Sequence, residues 1–348
     1  MVNLAVLGLG YWGPNLLRNL VSLEDVKIAA LCDLDVNRAD AFRQRFCPDA
    51  KVFSDPRLLA DDPLIQAVVI ATPIRTHYDL GSLLLSSGKH LFIEKPLART
   101  TEECQLLIDL AERHRRVLMV GHVFEYNVAV QRIKQYIDGG ELGKLFYVYS
   151  QRVNLGRIQH DVNALWSFAP HDVSILNYWF GQEPVRVSAR GFSYLSSTIE
   201  DVVFMTLEYP SGVGAHLHLG WLDPRKVRLM TLVGSKKMLV YDDVSLEAKI
   251  QLYDKGVANL DDFLESPETF AEFQFNIRAG DLVIPTLQFS EPLQSECRHF
   301  IDCIQHGSKP LSDGLDGLRV VRVLEAADQS LKIGGKTIDL SRRPQVGD

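Results

Sequence analysis

The chain has 348 residues, more than one hydrophobic core usually holds, so two domains are expected. Hydrophobic residues make up 46% and charged residues 23%, as in ordinary globular proteins, while a formal net charge of -7 and a pI near 5.8 exclude the basic surface that nucleic-acid binding requires. Five cysteines without C-x-x-C spacing argue against a disulfide framework or a zinc site, and no apolar run approaches the length of about 18 residues that a membrane span needs; a cytoplasmic location with no membrane partner is expected.

The chain opens on a β-rich apolar run that empties into Gly8, Gly10 and Gly13, with Tyr11 and Trp12 inside the turn and Pro14 directly after it. This is the pattern of a strand, a tight turn and a helix start, in which the glycines permit the turn, the approach of a pyrophosphate, and close helix–strand packing. A second strand, residues 26–31, leads to Asp33, 20 residues after Gly13, where a carboxylate meets an adenosine ribose. Repeated strand-then-helix segments follow, with strands at 51–53, 67–71, 90–93 and 117–120 and a capping box at Thr100–Glu103. The all-apolar run at 67–71 reads as a strand covered on both faces and ends in Thr72-Pro73. Six strands complete a Rossmann doubly wound parallel sheet, so the expected NAD-binding domain is 1–122.

Residues 123–348 form the expected substrate-binding and oligomerisation domain. Long strands at 144–154, 185–194, 202–209, 213–221 and 227–234 are separated by turn signals, which predicts a large, mainly antiparallel sheet in an α/β domain. Helices are predicted at 128–138, from about His171 to Phe180, at 292–306 and at 313–330. Residues 254–284 carry no readable period.

The Glu94-Lys95-Pro96 motif, after the fifth strand of a dinucleotide fold, resembles the Gfo/Idh/MocA family of sugar and cyclitol oxidoreductases. Ala71-Thr72-Pro73 with His77 downstream, Gly121-His122, and Ala169-Pro170-His171-Asp172 extend the likeness, as do the closing helices. The resemblance implies a nicotinamide cofactor, an open-faced sheet in the second domain, a homodimer or homotetramer built on that sheet, and a cis Lys95–Pro96 bond. Residues 151–156 and 161–166 resemble members associated with nucleotide-linked sugars.

Oxidising a secondary alcohol requires a proton acceptor, a hydride acceptor and a group that steadies the developing alkoxide. Lys95 is the candidate for the last role, although a lone lysine is otherwise a solvated surface group. His171 is the candidate proton carrier, or else a capping or buried structural histidine. Many relatives carry an aspartate four residues before this histidine; here that position is Ser167, which cannot supply a carboxylate's charge, and Asp172 is a substitute or a helix cap. His122 reads equally as a cofactor or substrate contact and as a structural group. Arg152, Asn154, Asp161, Asn163, Trp166 and Ser167 offer hydrogen bonds, a charge and a flat ring face to a sugar, and His216 and His218 share a face of one strand, more consistent with a sheet surface or interface than with a metal. Cofactor contacts are expected from Gly8, Gly10, Tyr11, Trp12, Gly13, Asp33, Arg38, Thr72, Pro73, His77, Glu94, Lys95 and His122. Asp33 favours NAD over NADP, with Arg38 close enough to oppose it.

The expected function is NAD-dependent hydride transfer at a secondary alcohol or ketone of a sugar, with a nucleotide-linked sugar oxidised at its 3-position as the leading case. The alternatives are an inositol or cyclitol dehydrogenase, a non-catalytic NAD-binding protein, and glycosidic-bond cleavage with tightly held NAD.

Overall fold

The computed structural model describes residues 1–156, 162–195, 198–257 and 277–341. Two compact units emerge, Met1–Asn127 with Ser290–Glu325, and Val128–Phe289 with Ala326–Asp348.

In the first unit β1 (Val2–Leu7), β2 (Val26–Cys32), β3 (Lys51–Phe53), β4 (Ala67–Ile70), β5 (His90–Ile93) and β6 (Leu118–Val120) form one parallel sheet in the order β3-β2-β1-β4-β5-β6. The order reverses between β1 and β4, so the turn leaving β1 and the loop leaving β4 stand side by side at the carboxyl edge, where ligands of such sheets bind. Every residue of β4 is buried, as its uninterrupted apolar run predicts for a strand sandwiched between helices. The crossover helices are α1 (Gly13–Val21), α2 (Val36–Phe46), the short α3 (Arg57–Asp61), α4 (His77–Ser86) and α5 (Thr101–His114). Local chemistry sets their starts. Pro14 occupies the first turn of α1, the Asp35 side chain accepts from Arg38 N at the start of α2, and Thr100 Oγ1 accepts from Glu103 N at 3.1 Å. The predicted capping box is completed one residue early, since Glu103 Oε2 accepts from Arg99 N.

The expected boundary at residue 122 differs from this partition in one large respect. Helix α8 (Pro292–His306) and the first part of α9 (Gly314–Lys332) belong to the first unit, because α8 buries Leu293, Cys297, Phe300 and Ile301 in the same apolar cluster as β1 and α1. Phe300 meets Phe92 of β5 edge to face, with ring centroids 5.8 Å apart. Glu291 before α8 pairs with Arg18 and accepts from Asn19 on α1.

The second unit contains α6 (Val128–Asp138), α7 (Ala164–Phe180) and a mixed sheet of β7 (Leu145–Val153), β8 (Arg186–Phe192), β9 (Val202–Glu208), β10 (Gly214–Gly220), β11 (Val227–Gly234), β12 (Met238–Asp242), β13 (Ile250–Val257), β14 (Ile277–Val283) and β15 (Ile338–Asp339). The order is β14-β13-β12-β11-β7-β10-β9-β8-β15, antiparallel throughout except for the central β7–β10 pair. One face is buried by alternate residues such as Val148, Met205 and Leu217. The other leaves Tyr149, Phe204 and His216 exposed, the alternation of a sheet covered on one side. His216 and His218 lie on that open face, both stacked on Phe204, in agreement with the expected sheet-surface role.

Candidate functional site

The glycine turn carries the geometry a dinucleotide needs. Gly8 has φ +93°, and a Cβ there would press into the Ala71 backbone at 2.8 Å; at Gly13 a Cβ would lie 2.0 Å from Gly8 O. At Gly10 a Cβ would meet nothing within 4 Å, so this backbone faces open space beside exposed Tyr11 and half-exposed Trp12. The turn is tied to β2 by Asp33, whose Oδ2 accepts from Leu9 N at 2.6 Å and whose Oδ1 accepts from Asp35 N at 2.9 Å. Asp33 therefore fixes the loop, a link that spacing alone does not reveal. The Arg38 guanidinium pairs with both Asp33 (3.7 Å) and Asp35 (3.2 Å). These residues fit a dinucleotide: a narrow turn with no side chain in the way, a carboxylate at its flank and a helix N-terminus behind it.

The neighbouring strand ends are locked to one another. Beyond β4, Thr72 Oγ1 and Thr76 Oγ1 are 2.7 Å apart, and Pro73 leads into the helical turn before α4. His77, expected among the cofactor contacts, is only 1% exposed: Nε2 lies 2.8 Å from Thr72 O and Nδ1 lies 2.9 Å from Pro96 O. Its ring thus bridges the loop after β4 to the turn after β5 instead of facing solvent. Burial pushes its pKa down, helped by the Lys95 charge, while the carbonyls resist.

At the end of β5, Glu94 and Lys95 are half-buried and the Lys95–Pro96 bond is cis, as the resemblance implied. Lys95 N donates to Glu94 Oε2 at 3.2 Å, the Trp12 side chain hydrogen-bonds the same carboxyl, and a Cβ at Gly121 would stand 3.1 Å from it. Burial raises the Glu94 pKa to about 7 against the opposing pull of Lys95 and Trp12.

His122, which reads equally as a ligand contact or a structural group, is 1% exposed, and its Nδ1 lies 2.6 Å from Asp316 Oδ2 and 3.5 Å from Glu125 Oε1, so one side of its ring is engaged within the first unit. Burial lowers its pKa, yet the two acids prevail and hold it raised. The partners come from 194 residues away along the chain in one case, which no local pattern discloses.

In the second unit α7 begins seven residues before the predicted start, because Asn163 caps it: Oδ1 accepts from Trp166 N at 3.1 Å and Nδ2 donates to Glu200 Oε2 at 2.8 Å. Pro170 lies inside the helix, where its ring removes one backbone donor without ending the helix. Asn163 thereby has both side-chain polar atoms engaged in holding the start of α7. Trp166, Ser167 and His171 are all half-buried, with Ser167 and His171 one turn apart on one face. Asp172, beside His171, points the other way and is fully buried. Its Oδ1 accepts from Arg152 Nε at 2.7 Å and Nη2 at 2.6 Å, and its Oδ2 from Ser150 Oγ at 3.1 Å. Arg152 was expected to offer its charge to a ligand; it is 2% exposed and its guanidinium pairs with Asp172, which lies inside α7 and does not cap it. Asn154 is half-buried and folds over Gly156, while Asp161 lies outside the described residues.

With this geometry in hand, comparison with known proteins gives the class. Residues 2–122 match the model for the Gfo/Idh/MocA oxidoreductase family's NAD-binding Rossmann fold, and residues 130–240 match that family's C-terminal domain. The chain belongs to the Gfo/Idh/MocA family, and its first unit is an NAD-binding Rossmann domain. Among curated relatives, the inositol 2-dehydrogenase of Salmonella typhimurium is 26% identical over 60% of this chain, the match covering 64% of that protein's length. The scyllo-inositol 2-dehydrogenase (NAD(+)) of Bacillus subtilis is also 26% identical, over 96% of this chain and 95% of its own. In fold the chain is similar to the UDP-N-acetylglucosamine 3-dehydrogenase of Acidithiobacillus ferrooxidans (21% identity, TM-score 0.79, 95% of this chain and 97% of that one).

Proposed function

We propose that this protein is an NAD-dependent oxidoreductase that moves a hydride between nicotinamide and a secondary alcohol or ketone of a sugar, with the 3-position of a nucleotide-linked sugar as the leading substrate. The observation that carries the reading is Lys95, a half-buried lysine at the carboxyl end of β5 and on the same sheet edge as the open glycine turn. A bound NAD supplies the hydride acceptor or donor. The turn Gly8–Gly13 receives the pyrophosphate, the Asp33 carboxylate accepts from the ribose diol, and His77 keeps the loops after β4 and β5 at a fixed separation. Lys95 donates a hydrogen bond to the reacting oxygen and stabilises its negative charge as the alcohol is oxidised. His171 takes the hydroxyl proton and returns it in the reverse direction. Trp166 and Ser167, on the same stretch of α7, are assigned to sugar binding.

NAD is favoured over NADP because Asp33 repels a 2′-phosphate and the charge of Arg38 is already shared between Asp33 and Asp35. The exposed aromatic residues of the second unit's open face, Tyr149, Phe192 and Phe204 among them, support assembly of a homodimer or homotetramer through that sheet. Free thiols at all five cysteines suit the cytoplasm.

The curated relatives that act on inositols support a second reading, a cyclitol dehydrogenase, since six-membered polyol rings present similar hydroxyl patterns. Turnover of a panel of UDP-sugars and inositols with NAD and NADP separates the readings. Lys95→Ala should lower kcat by about 100-fold or more while leaving NADH affinity within about threefold, as expected for loss of one oxyanion donor. Wild-type turnover in that variant refutes the assigned role.

A further inference from the structure

At the amino edge of the first unit's sheet, the end opposite Lys95, a cavity of about 520 Å³ opens where β5 and β6 begin, beside the end of α5 and the loop joining α8 to α9. Its lining comes wholly from the first unit and shares no residue with the glycine turn, Asp33 or the Lys95 turn. A cavity of this size is within the range that takes small-molecule ligands. Ile108, Leu118, Ile304 and Leu315 give it apolar surface, and Arg115, Arg116 and Lys309 give it positive charge. Two acids also line it. Asp313 is already matched, its Oδ2 by Lys309 Nζ at 2.6 Å and its Oδ1 by Asp316 N at 2.8 Å, while Glu112 forms no ion pair with either arginine among the described residues. Two guanidiniums therefore remain against one carboxylate.

The hydrogen bonds at one side of this cavity lack an acceptor. Val117 N donates to His90 Nδ1 at 3.0 Å, so Nδ1 is the accepting nitrogen and the ring proton sits on Nε2. That N–H stands 3.2 Å from Arg116 Nη1, which is itself a donor. Burial first, and the Arg116 charge second, push the His90 pKa down to about 4, so the ring stays neutral at pH 7. Two donors thus face each other, and among the described residues no acid pairs with Arg116. Arg115 adds a second observation. It closes α5 at φ +53°, the one positive φ on a non-glycine residue among those described, at a helix end that glycine usually fills. Its guanidinium has no hydrogen-bond or ion-pair partner among the described residues.

We propose that this cavity binds a small organic phosphate, a phosphomonoester on an apolar or aromatic body, with Arg115, Arg116 and His90 Nε2–H holding the phosphate and the apolar residues covering the body. An oxygen lodged between His90 and Arg116 accepts from both and turns the donor–donor contact into two hydrogen bonds. Two guanidinium forks and an imidazole N–H suit the three terminal oxygens of a phosphomonoester better than the two of a carboxylate. The apolar residues give the organic body an advantage over inorganic phosphate, because it removes their surface from water. Since β5 carries His90 at its start and Lys95 just beyond its end, the site stays open when NAD occupies the opposite edge.

The test is calorimetric titration of the full-length protein, with and without saturating NADH, using phenyl phosphate, inorganic phosphate and benzoate as separate probes. Phenyl phosphate should bind at one equivalent per chain, at least about tenfold tighter than either other probe, with the same Kd in the presence and absence of NADH. Arg115→Gly suits the left-handed backbone and should leave Tm unchanged or raised; it and Arg116→Gln should each weaken phenyl phosphate by about tenfold or more, with NADH affinity within about threefold of wild type. No binding of phenyl phosphate overturns the proposal, as does wild-type affinity in both variants. Inorganic phosphate or benzoate binding as tightly as phenyl phosphate overturns it too, and loss of phenyl phosphate binding under NADH assigns the anion to the cofactor turn instead.

Discussion

Replacing Asp172 by Asn probes the interior of the second unit with almost no change in volume. The carboxylate is fully buried, receives two bonds from the Arg152 guanidinium at 2.7 and 2.6 Å and one from Ser150, and Arg152 itself is 3% exposed in its side chain. Arg228 stands opposite Arg152 in the β11–β7 register. Its pKa is lowered by burial first and by Arg152 second, with Asp243 and Asp172 opposing. Without the Asp172 charge, the buried Arg152 guanidinium and the half-buried Arg228 guanidinium stand opposite each other with Asp243 as a neighbouring acid. Breaking a buried pair from one side costs about 3–5 kcal/mol, and the second arginine places the expected loss near 4 kcal/mol. At roughly 2–4 °C per kcal/mol for a unit of this size, Tm should fall by about 8–15 °C. Scanning calorimetry and urea unfolding measure both quantities. The double variant Arg152→Met with Asp172→Leu should recover much of the loss, because removing both charges leaves neither stranded. A loss below about 1 kcal/mol in Asp172→Asn, or a double variant as unstable as the sum of the singles, refutes the buried-pair account.

Gly13→Ala would drive a methyl group to 2.0 Å from Gly8 O, so α1 has to shift; NADH affinity, read by fluorescence titration, should fall at least tenfold, and an unchanged Kd contradicts the close-approach argument. His77→Phe removes the bridge between Thr72 O and Pro96 O, and the resulting misplacement of the two loops should lower kcat/KM by about 10- to 100-fold; a wild-type value shows the bridge to be dispensable. For Glu94 the folded pKa, about 7, stands above the ordinary 4.5, so burial favours the neutral carboxyl. Its contribution to stability is complete below pH 4.5 and is lost as pH rises through about 7. Tm followed across that window should decline in the wild type and flatten in Glu94→Gln, whereas parallel curves argue that Glu94 titrates normally.

The fold of the first unit was legible because its signals are local. A glycine turn after an apolar strand, a carboxylate 20 residues on, and the capping box ahead of α5 depend on backbone conformation within a few residues, and each reads directly from the chain. The position of Lys95 at the end of β5 was legible in the same way, from a short motif. Five of the second unit's nine described strands, β7 to β11, were also visible, since alternation across a one-sided sheet has a period of two; β12 to β15 and the parallel pairing of β7 with β10 were not, because pairing partners are set by tertiary packing rather than by period.

What the tertiary structure alone decided is the company each polar residue keeps. Arg152, Asn163 and His122 are the residue types that bind sugars and cofactors, and nothing local distinguishes an arginine facing a ligand from one facing a buried aspartate. Asp172 claims the first, the start of α7 claims the second, and Asp316, brought in by a helix near the end of the chain, claims the third. The physical reason is common to all three. A charged or amide group is worth most where water is excluded, and which groups are excluded from water together is decided only when distant segments pack. The amino-acid sequence determined the cofactor turn and the lysine beside it, while folding determined which of the remaining candidates stay available to a substrate.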